Sequence, residues 1–236
     1  MSYTTNDIHE LVIKQRTFFN SGVTLDVKWR KEQLKKLKAL MYKYEEELED
    51  ALYKDLGRAK TEAYFCDIGT VILEINEILK DLNKWAKPEK LHSGLIAFPS
   101  SKTWVYKMPY GVSLIISPFN FPILLTFGVL AASIAGGNTA LLKVSSKSVN
   151  CSILMQKMIK EVFPEEYIAV IDGGHDIADA CLAERVDKIF YTGSPKVGVH
   201  VLTEAAKNLT PVALELGGET GNWCVIRKDA DLKDAA

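Results

Sequence analysis

Residues 110–146 read YGVSLIISPFNFPILLTFGVLAASIAGGNTALLKVSS, and this stretch decides the fold. The apolar runs at 112–117 (VSLIIS) and 139–144 (TALLKV) have the length and composition of buried strands, and the segment at about 121–135 has those of a helix. A parallel pair of strands needs a long crossover connection, and a helix between two strands supplies one. We therefore expect these two strands to pair in parallel. The stretch therefore predicts the beginning of a parallel sheet.

The same alternation of short apolar runs and helical segments continues along the chain. It predicts a helix at about 148–162, a strand at 168–171, a helix through 177–182, a strand at 187–191, a helix at 195–208 and a strand at 211–215. Repeated strand–helix units imply right-handed crossovers onto a sheet that is covered on both faces. We predict an α/β fold with a doubly wound parallel sheet.

The segment before residue 110 has a different character. Apolar residues recur every three or four positions from 25 to 56, which predicts one long amphipathic helix, and a similar rhythm predicts a second helix through 65–82. Between 91 and 109 the sequence is polar with a few strand-forming residues. We predict that this segment forms a β excursion away from the main body.

Composition limits the classes of function. The chain has 236 residues, of which 47% are hydrophobic, and its 29 Lys and Arg residues balance 30 Asp and Glu residues. This balance argues against nucleic acid as the main partner. No run approaches the ~20 apolar residues of a membrane span, and the first residues do not resemble a secretion signal. We predict a cytoplasmic protein without a membrane span.

Cysteine and histidine residues are too scattered to indicate a disulfide framework or a metal site. No CxxC pair occurs, and no two histidines have the short spacing that metal ligands need. Reduced thiols and no metal are predicted. The residues concerned are Cys66, Cys151, Cys181, Cys224, His9, His92, His175 and His200.

In an open parallel sheet, ligands bind beyond the carboxyl ends of the strands, so the strand-to-helix junctions are the candidate sites. The first junction, ISPFNFP, holds Asn120 between two aromatic residues and two prolines, although Asn alone is also an ordinary turn residue. The second places Lys143 at a strand end before Ser145 and Ser146. It could equally be a solvated strand terminus.

The third and fourth junctions carry a possible phosphate site and a carboxylate. Gly193-Ser194-Pro195 opens a helix, whose free N–H groups would attract phosphate, although Ser-Pro is also a common helix start and no GxGxxG is present. Glu215 ends an apolar strand between two leucines. Loss of hydration there would raise its pKa and suit a general base, while the alternative is a strand-end Glu that faces water.

These four junctions, in this order, resemble the aldehyde dehydrogenase superfamily, most closely the branch with class 3, fatty-aldehyde and benzaldehyde dehydrogenases. The similarity runs through nearly all of the chain. Its most specific pieces are SPFNFPILLTFGVLAASIAGGNTALLKVSS, FYTGSPKVG and LELGG. The resemblance implies a Rossmann-like cofactor domain and oxidation of an aldehyde to a carboxylic acid with NAD or NADP.

The resemblance also assigns roles to residues. Asn120 looks like the amide that stabilises the developing oxyanion, and Glu215 looks like the general base. The segment 91–109 resembles the family's oligomerisation hairpin, which implies a homodimer. The cofactor-binding residues implied are Ser117, Pro118, Phe119, Lys143, Ser145, Ser146, Gly193, Ser194, Pro195, Lys196, Val197, Gly198, Leu216 and Gly217.

The chain departs from the family pattern in two places. The family commonly has Lys-Pro-Ser-Glu where this chain has Lys143-Val144-Ser145-Ser146, so we expect NADP to be accepted. In the family a catalytic cysteine follows the ELGG glutamate by a few tens of residues, in a separate domain. We therefore expect a cofactor domain at 1–218, the beginning of a catalytic domain at 219–236, and Cys224 as a packed residue.

Two alternatives remain from the sequence. An acylating relative would hand the acyl group to coenzyme A or phosphate, but such relatives generally lack the glutamate that Glu215 matches. A second alternative is a nucleotide-binding or partner-binding remnant without catalysis. In either case the sequence predicts that residues 1–236 alone do not oxidise aldehydes.

Overall fold

The computed structural model describes residues 3–92, 94, 99, 102–218, 225–231 and 233. Its strands are β1 (Glu89–Leu91), β2 (Thr103–Val105), β3 (Val112–Ile116), β4 (Thr139–Lys143), β5 (Ile168–Ile171), β6 (Lys188–Gly193) and β7 (Val212–Leu216). The last five form one parallel sheet in the order β5-β4-β3-β6-β7. The chain steps outward from β3 to β5 and then returns to β6 on the other side of β3. The predicted doubly wound sheet is confirmed.

Helices cover both faces of this sheet. They are α1 (Thr5–Asn20), α2 (Val27–Lys43), α3 (Glu45–Leu56), α4 (Lys60–Ala63), α5 (Gly69–Trp85), α6 (Val129–Gly136), α7 (Val149–Val162), α8 (His175–Ala183) and α9 (Pro195–Lys207). Short π-helical turns at Tyr64–Ile68 and Leu124–Gly128 lead into α5 and α6.

The single long helix predicted over 25–56 is wrong, because the chain bends at Tyr44 between α2 and α3. Tyr44 leaves helical geometry with φ −107° and ψ 17°, and its hydroxyl donates a hydrogen bond to Glu161 on α7 (2.5 Å). Its backbone still bonds to Leu40 and Leu48, so the apolar face continues through the bend. The periodicity of apolar residues does not reveal a bend that leaves the apolar face continuous.

Two hydrophobic cores lie on opposite faces of the sheet because successive strand residues point to opposite sides. On one face Ile115 and Leu142 pack against α2, α3, α5, α6 and α7. On the other, Leu114 and Leu141 pack against α1, α8 and α9. Leu114 is fully buried, so Leu114→Ala would cost about 2–5 kcal/mol of stability.

Helix α1, which the periodicity argument did not predict, begins at a capping box. Thr4 accepts a hydrogen bond from the backbone N–H of Asp7 (3.2 Å), and the Asp7 carboxylate accepts from the N–H of Thr4 (2.7 Å). These bonds satisfy groups that a helix start otherwise leaves unpaired. The buried face of α1, with Ile8 and Leu11, lies in the second core.

The predicted β excursion is an antiparallel pair of strands, β1 with β2. The hairpin begins at Glu89, two residues earlier than expected, and Leu91 pairs with Thr103. Residues 93, 95–98, 100 and 101 of this excursion lie outside the described residues. None of the helices in the described part of the chain has the length and apolar character needed to cross a membrane.

Candidate functional site

The four predicted junctions lie along one edge of the sheet. In the parallel register Ile116 of β3 lies beside Lys143 of β4 and Tyr191 of β6, and Thr192 lies beside Glu215 of β7. Neighbouring strands are about 4.8 Å apart, so β3 and β7, with β6 between them, are separated by about 10 Å. A ligand that lies across the ends of β3, β6 and β7 can therefore contact several junctions at once.

The loop after β3 presents Asn120 to solvent. Its backbone carbonyl accepts a hydrogen bond from Arg58 (2.6 Å), whose guanidinium also lies over the Phe121 ring, 4.5 Å from its centre. Arg58 forms an ion pair with the buried Asp67. This pair was not predicted from the sequence, because residues 58 and 67 belong to none of the strand-end motifs.

Asp67 is also bonded to the backbone that follows Asn120. Its carboxylate accepts the N–H groups of Ile123 (3.1 Å) and Leu124 (2.9 Å). Burial raises the pKa of Asp67, and the N–H donors and Arg58 act in the opposite direction. The loop is thus held by charge-assisted bonds from outside the sheet.

Ser117, predicted to contact the cofactor, has its hydroxyl engaged inside the protein. It is buried and accepts a hydrogen bond from the Thr126 hydroxyl (2.7 Å), which ties the end of β3 to the helical turn after the loop. Phe119 is partly exposed, and the ammonium of Lys147 from the next junction lies 5.0 Å from its ring centre. The first and second junctions are therefore in contact.

Lys143 is buried at the end of β4. Its ammonium donates hydrogen bonds to the carbonyls of Val144 and Gly173, each 2.8 Å away, and burial lowers its pKa. An ammonium carries three N–H donors, so one is left after these two bonds. Lys143 can therefore offer one donor and its charge to a ligand at this edge.

Ser146 does not cap the helix after β4. Helix α7 begins at Val149, and Asp55 from α3 accepts its first free N–H groups at 3.1 and 2.8 Å. The Ser145 hydroxyl accepts the N–H of Lys147 (3.2 Å). Ser146 itself is exposed.

At the third junction, Ser194 caps α9. Its hydroxyl accepts the N–H of Val197 (3.4 Å), and Pro195 occupies the first turn as predicted. The first turn carries no acidic residue, and Lys196 is exposed beside it. A positive helix end with a neighbouring ammonium suits a phosphate group.

Gly198 lets α9 approach β7 closely, and Gly193 leaves room for the side chain of Tyr191, two residues earlier in β6. A Cβ at Gly198 would lie 2.8 Å from the Leu216 side chain, and one at Gly193 would lie 2.1 Å from the Tyr191 hydroxyl. Both distances are too short for a real contact. Gly217 then donates its N–H to the carbonyl of Gly193 (2.9 Å), which joins the third and fourth junctions.

Glu215 and Leu216 are exposed, contrary to the expectation that the flanking leucines remove water from the carboxylate. The reason is the position of β7, which is the outer strand of the described sheet and pairs with β6 alone. The carboxylate lies at the same sheet edge as Asn120. This exposed arrangement leaves both groups accessible to a ligand.

A cavity of about 270 Å³ lies between α8 and α9, next to the third junction. It is lined by apolar residues that include Ile116, Tyr191 and Val197, and by His200, which is hydrogen-bonded to Asp179 (2.8 Å). A larger cavity of about 750 Å³ has Phe190 in its wall and opens near the amino ends of β3 and β6. Leu124 and Leu125, which follow the first junction, also line the larger cavity, but no residue of the other three junctions does.

The two buried cysteines of the described residues do not supply an activated thiol. Cys151 and Cys181 are buried, and burial raises their pKa values, that of Cys181 to about 12. Cys66 is half-buried. A nucleophilic cysteine needs a lowered pKa and access to substrate, which neither buried residue has. Cys224, which was predicted to be packed, lies outside the described residues.

The described residues hold no group of three or more His, Cys, Asp or Glu side chains that could bind a metal ion. The polar groups at the sheet edge are instead amides, hydroxyls, ammonium groups that include the buried one of Lys143, and carboxylates that include Glu215 and, after β5, Asp172. This set suits hydrogen bonding to a phosphorylated organic ligand.

Comparisons with known proteins place the chain among aldehyde dehydrogenases. The model of the "Aldehyde dehydrogenase family" matches residues 2–236. The chain is 39% identical over 231 residues to the 4,4'-diaponeurosporen-aldehyde dehydrogenase of Staphylococcus aureus, covering 98% of this chain and 50% of the relative. It is 39% identical over 233 residues to a fatty aldehyde dehydrogenase of Saccharomyces cerevisiae, covering 93% and 44%.

Solved structures give the same result. The substrate-bound AldH of Staphylococcus aureus superimposes with a TM-score of 0.87 at 41% identity, covering 89% of this chain and 46% of that one. A betaine aldehyde dehydrogenase from the same organism, in complex with NAD+, gives a TM-score of 0.83 at 25% identity, covering 92% and 43%. The chain thus spans about half the length of the relatives it matches.

Proposed function

Because the chain belongs to the aldehyde dehydrogenase family, we propose that residues 1–236 hold NAD or NADP in an enzyme that oxidises an aldehyde to a carboxylic acid. The observation that carries the proposal is the convergence of Asn120, Glu215 and the start of α9 on one edge of the sheet. When bound, the nicotinamide accepts the hydride that the aldehyde carbon loses.

The proposed cofactor contacts follow from the geometry of the third junction. The start of α9 and Lys196 would hold the diphosphate, because the helix dipole and the ammonium favour negative charge there. The cavity between α8 and α9 would hold the purine ring, and Lys143 would offer its remaining donor to the ribose. Gly193, Leu216 and Gly217, at the ends of β6 and β7, would hold the nicotinamide end.

Asn120 and Glu215 have different roles in the proposed reaction. The Asn120 amide donates a hydrogen bond to the aldehyde oxygen as negative charge develops on it after thiolate attack. Glu215 accepts a proton from the water that hydrolyses the thioester. Hydrolysis is favoured over acyl transfer to coenzyme A, because Glu215 stands at this edge.

We propose that residues 1–218 form the cofactor-binding domain and residues 219–236 the start of the catalytic domain. Residues 1–236 by themselves bind cofactor without oxidising aldehydes, because the buried thiols of Cys151 and Cys181 cannot attack a substrate. The enzyme acts as a homodimer that uses the β1–β2 hairpin, and it acts in the cytoplasm, where the free thiols of the described cysteines stay reduced. Sedimentation and cell fractionation test the last two statements.

Calorimetric titration of residues 1–236 with NAD and NADP tests the cofactor site. Lys196→Glu should weaken binding at least about tenfold, because it places a carboxylate at the phosphate site. Lys207→Glu, at the other end of the same helix, is the matched control and should stay within about twofold. Absence of binding to the unaltered chain, or an equal effect of both variants, would refute the assignment. Aldehyde-dependent NAD reduction by residues 1–236 would refute the inactivity of this segment.

A further inference from the structure

One buried ion pair is bonded to the carbonyl of Asn120 and to the backbone that follows it. Arg58 pairs with Asp67 and donates to the Asn120 carbonyl (2.6 Å), while Asp67 accepts the N–H groups of Ile123 (3.1 Å) and Leu124 (2.9 Å). These contacts reach the loop from the segment around α4, outside the sheet. The backbone around Asn120 is therefore fixed by groups that no strand-end motif contains.

The burial of this pair indicates what it contributes. Asp67 has no exposed side-chain surface and Arg58 is 11% exposed. A buried ion pair often adds little to stability compared with apolar residues of the same volume, because both charges lose their hydration. Its directional bonds, however, permit only one arrangement of the groups they join. The stacking of Arg58 on Phe121 fixes the guanidinium plane as well.

We propose that Arg58 and Asp67 are positioning residues that hold the Asn120 loop in the conformation that the oxyanion-stabilising amide needs. This inference rests on the proposed role of Asn120. A hydrogen-bond donor stabilises a developing oxyanion best when it is already oriented before the reaction. An exposed loop end without the pair would sample several conformations and lose that orientation.

Nuclear magnetic resonance of residues 1–236 tests the proposal without cofactor or aldehyde. In Arg58→Ala, the order parameter of the Asn120 backbone amide should fall from about 0.85 to below about 0.6. In Asp67→Asn, the amides of Ile123 and Leu124 should exchange about 10- to 100-fold faster, because a charged acceptor is lost. Arg58→Lys keeps the charge and should restore part of the order at Asn120.

Asp55→Asn is the matched control, since Asp55 also accepts two backbone N–H groups at a helix start, but at α7. It should leave the Asn120 loop unchanged. The proposal is overturned if Asn120 stays as ordered in Arg58→Ala as in the parent, or if all amides in Asp67→Asn exchange faster together, which would show a general loss of stability. Should Arg58→Ala fail to fold, the same readings in Arg58→Lys and Asp67→Asn decide. Failure of NAD to bind would contradict the proposed function and leave these measurements valid.

Discussion

Replacement of Ser146 by Glu should convert a site that accepts NADP into one that prefers NAD. Ser146 is exposed at the second junction, three residues before the start of α7, and does not cap that helix. With a serine there, no carboxylate repels a 2'-phosphate, and Lys143 and Lys147 supply positive charge. We expect the parent chain to bind NADP at least as well as NAD.

The size of the effect follows from the exposure of the residue. Two unit charges about 4 Å apart repel by about 4 kcal/mol at an effective dielectric constant of ~20 and by about 1 kcal/mol in water. Since residue 146 is exposed, the value lies near the lower figure, at about 1–2 kcal/mol. Ser146→Glu should therefore weaken NADP binding about 5- to 30-fold while NAD binding stays the same or improves.

Calorimetric competition between NAD and NADP on residues 1–236 measures this ratio. Ser146→Gln is the control, because it adds the same bulk without charge and should leave the ratio within about twofold. Added salt should reduce the effect of the glutamate, since exposed charges are screened. If NAD binds more than about tenfold tighter than NADP in the parent, and Ser146→Glu leaves the ratio unchanged, residue 146 does not set cofactor choice.

Three further predictions concern the base, the cap and a glycine. In an active enzyme of the relatives' length that carries these residues, Glu215→Gln should slow acyl-enzyme hydrolysis about 10²- to 10⁴-fold with little change in NAD affinity. Hydrolysis at the parent rate in rapid-quench measurements would exclude Glu215 as the base. Asp55→Asn should cost about 1–3 kcal/mol of stability at pH 7. Burial acts to raise the pKa of Asp55, but the N–H donors around it lower that pKa overall. The difference in stability between the parent and Asp55→Asn should therefore persist above the pKa of the unfolded state, about 3.9, and disappear as pH falls through the lower pKa of the folded state. Urea unfolding at several pH values measures this difference, and a difference that stays constant with pH would contradict the prediction. Gly193→Ala should lower stability by about 1–3 kcal/mol, because the added Cβ would meet the Tyr191 hydroxyl. Gly217→Ala is the control and should change stability little, because the nearest atom to its Cβ would be 3.9 Å away. Equal losses of stability in urea unfolding would contradict this packing argument.

The sheet and the positions of its junctions could be predicted from sequence, because buried parallel strands are short continuous apolar runs and strand ends share one edge. Strand 168–171 coincides with β5, and the other predicted strands differ from β3, β4, β6 and β7 by one or two residues at their ends. Such local patterns depend only on neighbours along the chain.

What could not be predicted depends on contacts between distant segments. At the bend between α2 and α3, Tyr44 is hydrogen-bonded to Glu161, 117 residues later. The Asn120 loop depends on residues 58 and 67, and the exposure of Glu215 depends on the place of β7 in the sheet. The residue that caps α7 lies on α3. The charged residues involved resemble surface positions in the sequence, because their partners are far away along the chain.

The place of α1 has a consequence for the order in which the molecule is assembled during translation. Its buried residues, such as Ile8 and Leu11, belong to the core that α8 and α9 complete, and α8 begins only at residue 175. Helix α1 is therefore synthesised long before the two helices that complete the cover of its apolar face. Meanwhile the opposite core, formed by α2 to α7 on β3, β4 and β5, has all of these elements once residue 171 has emerged.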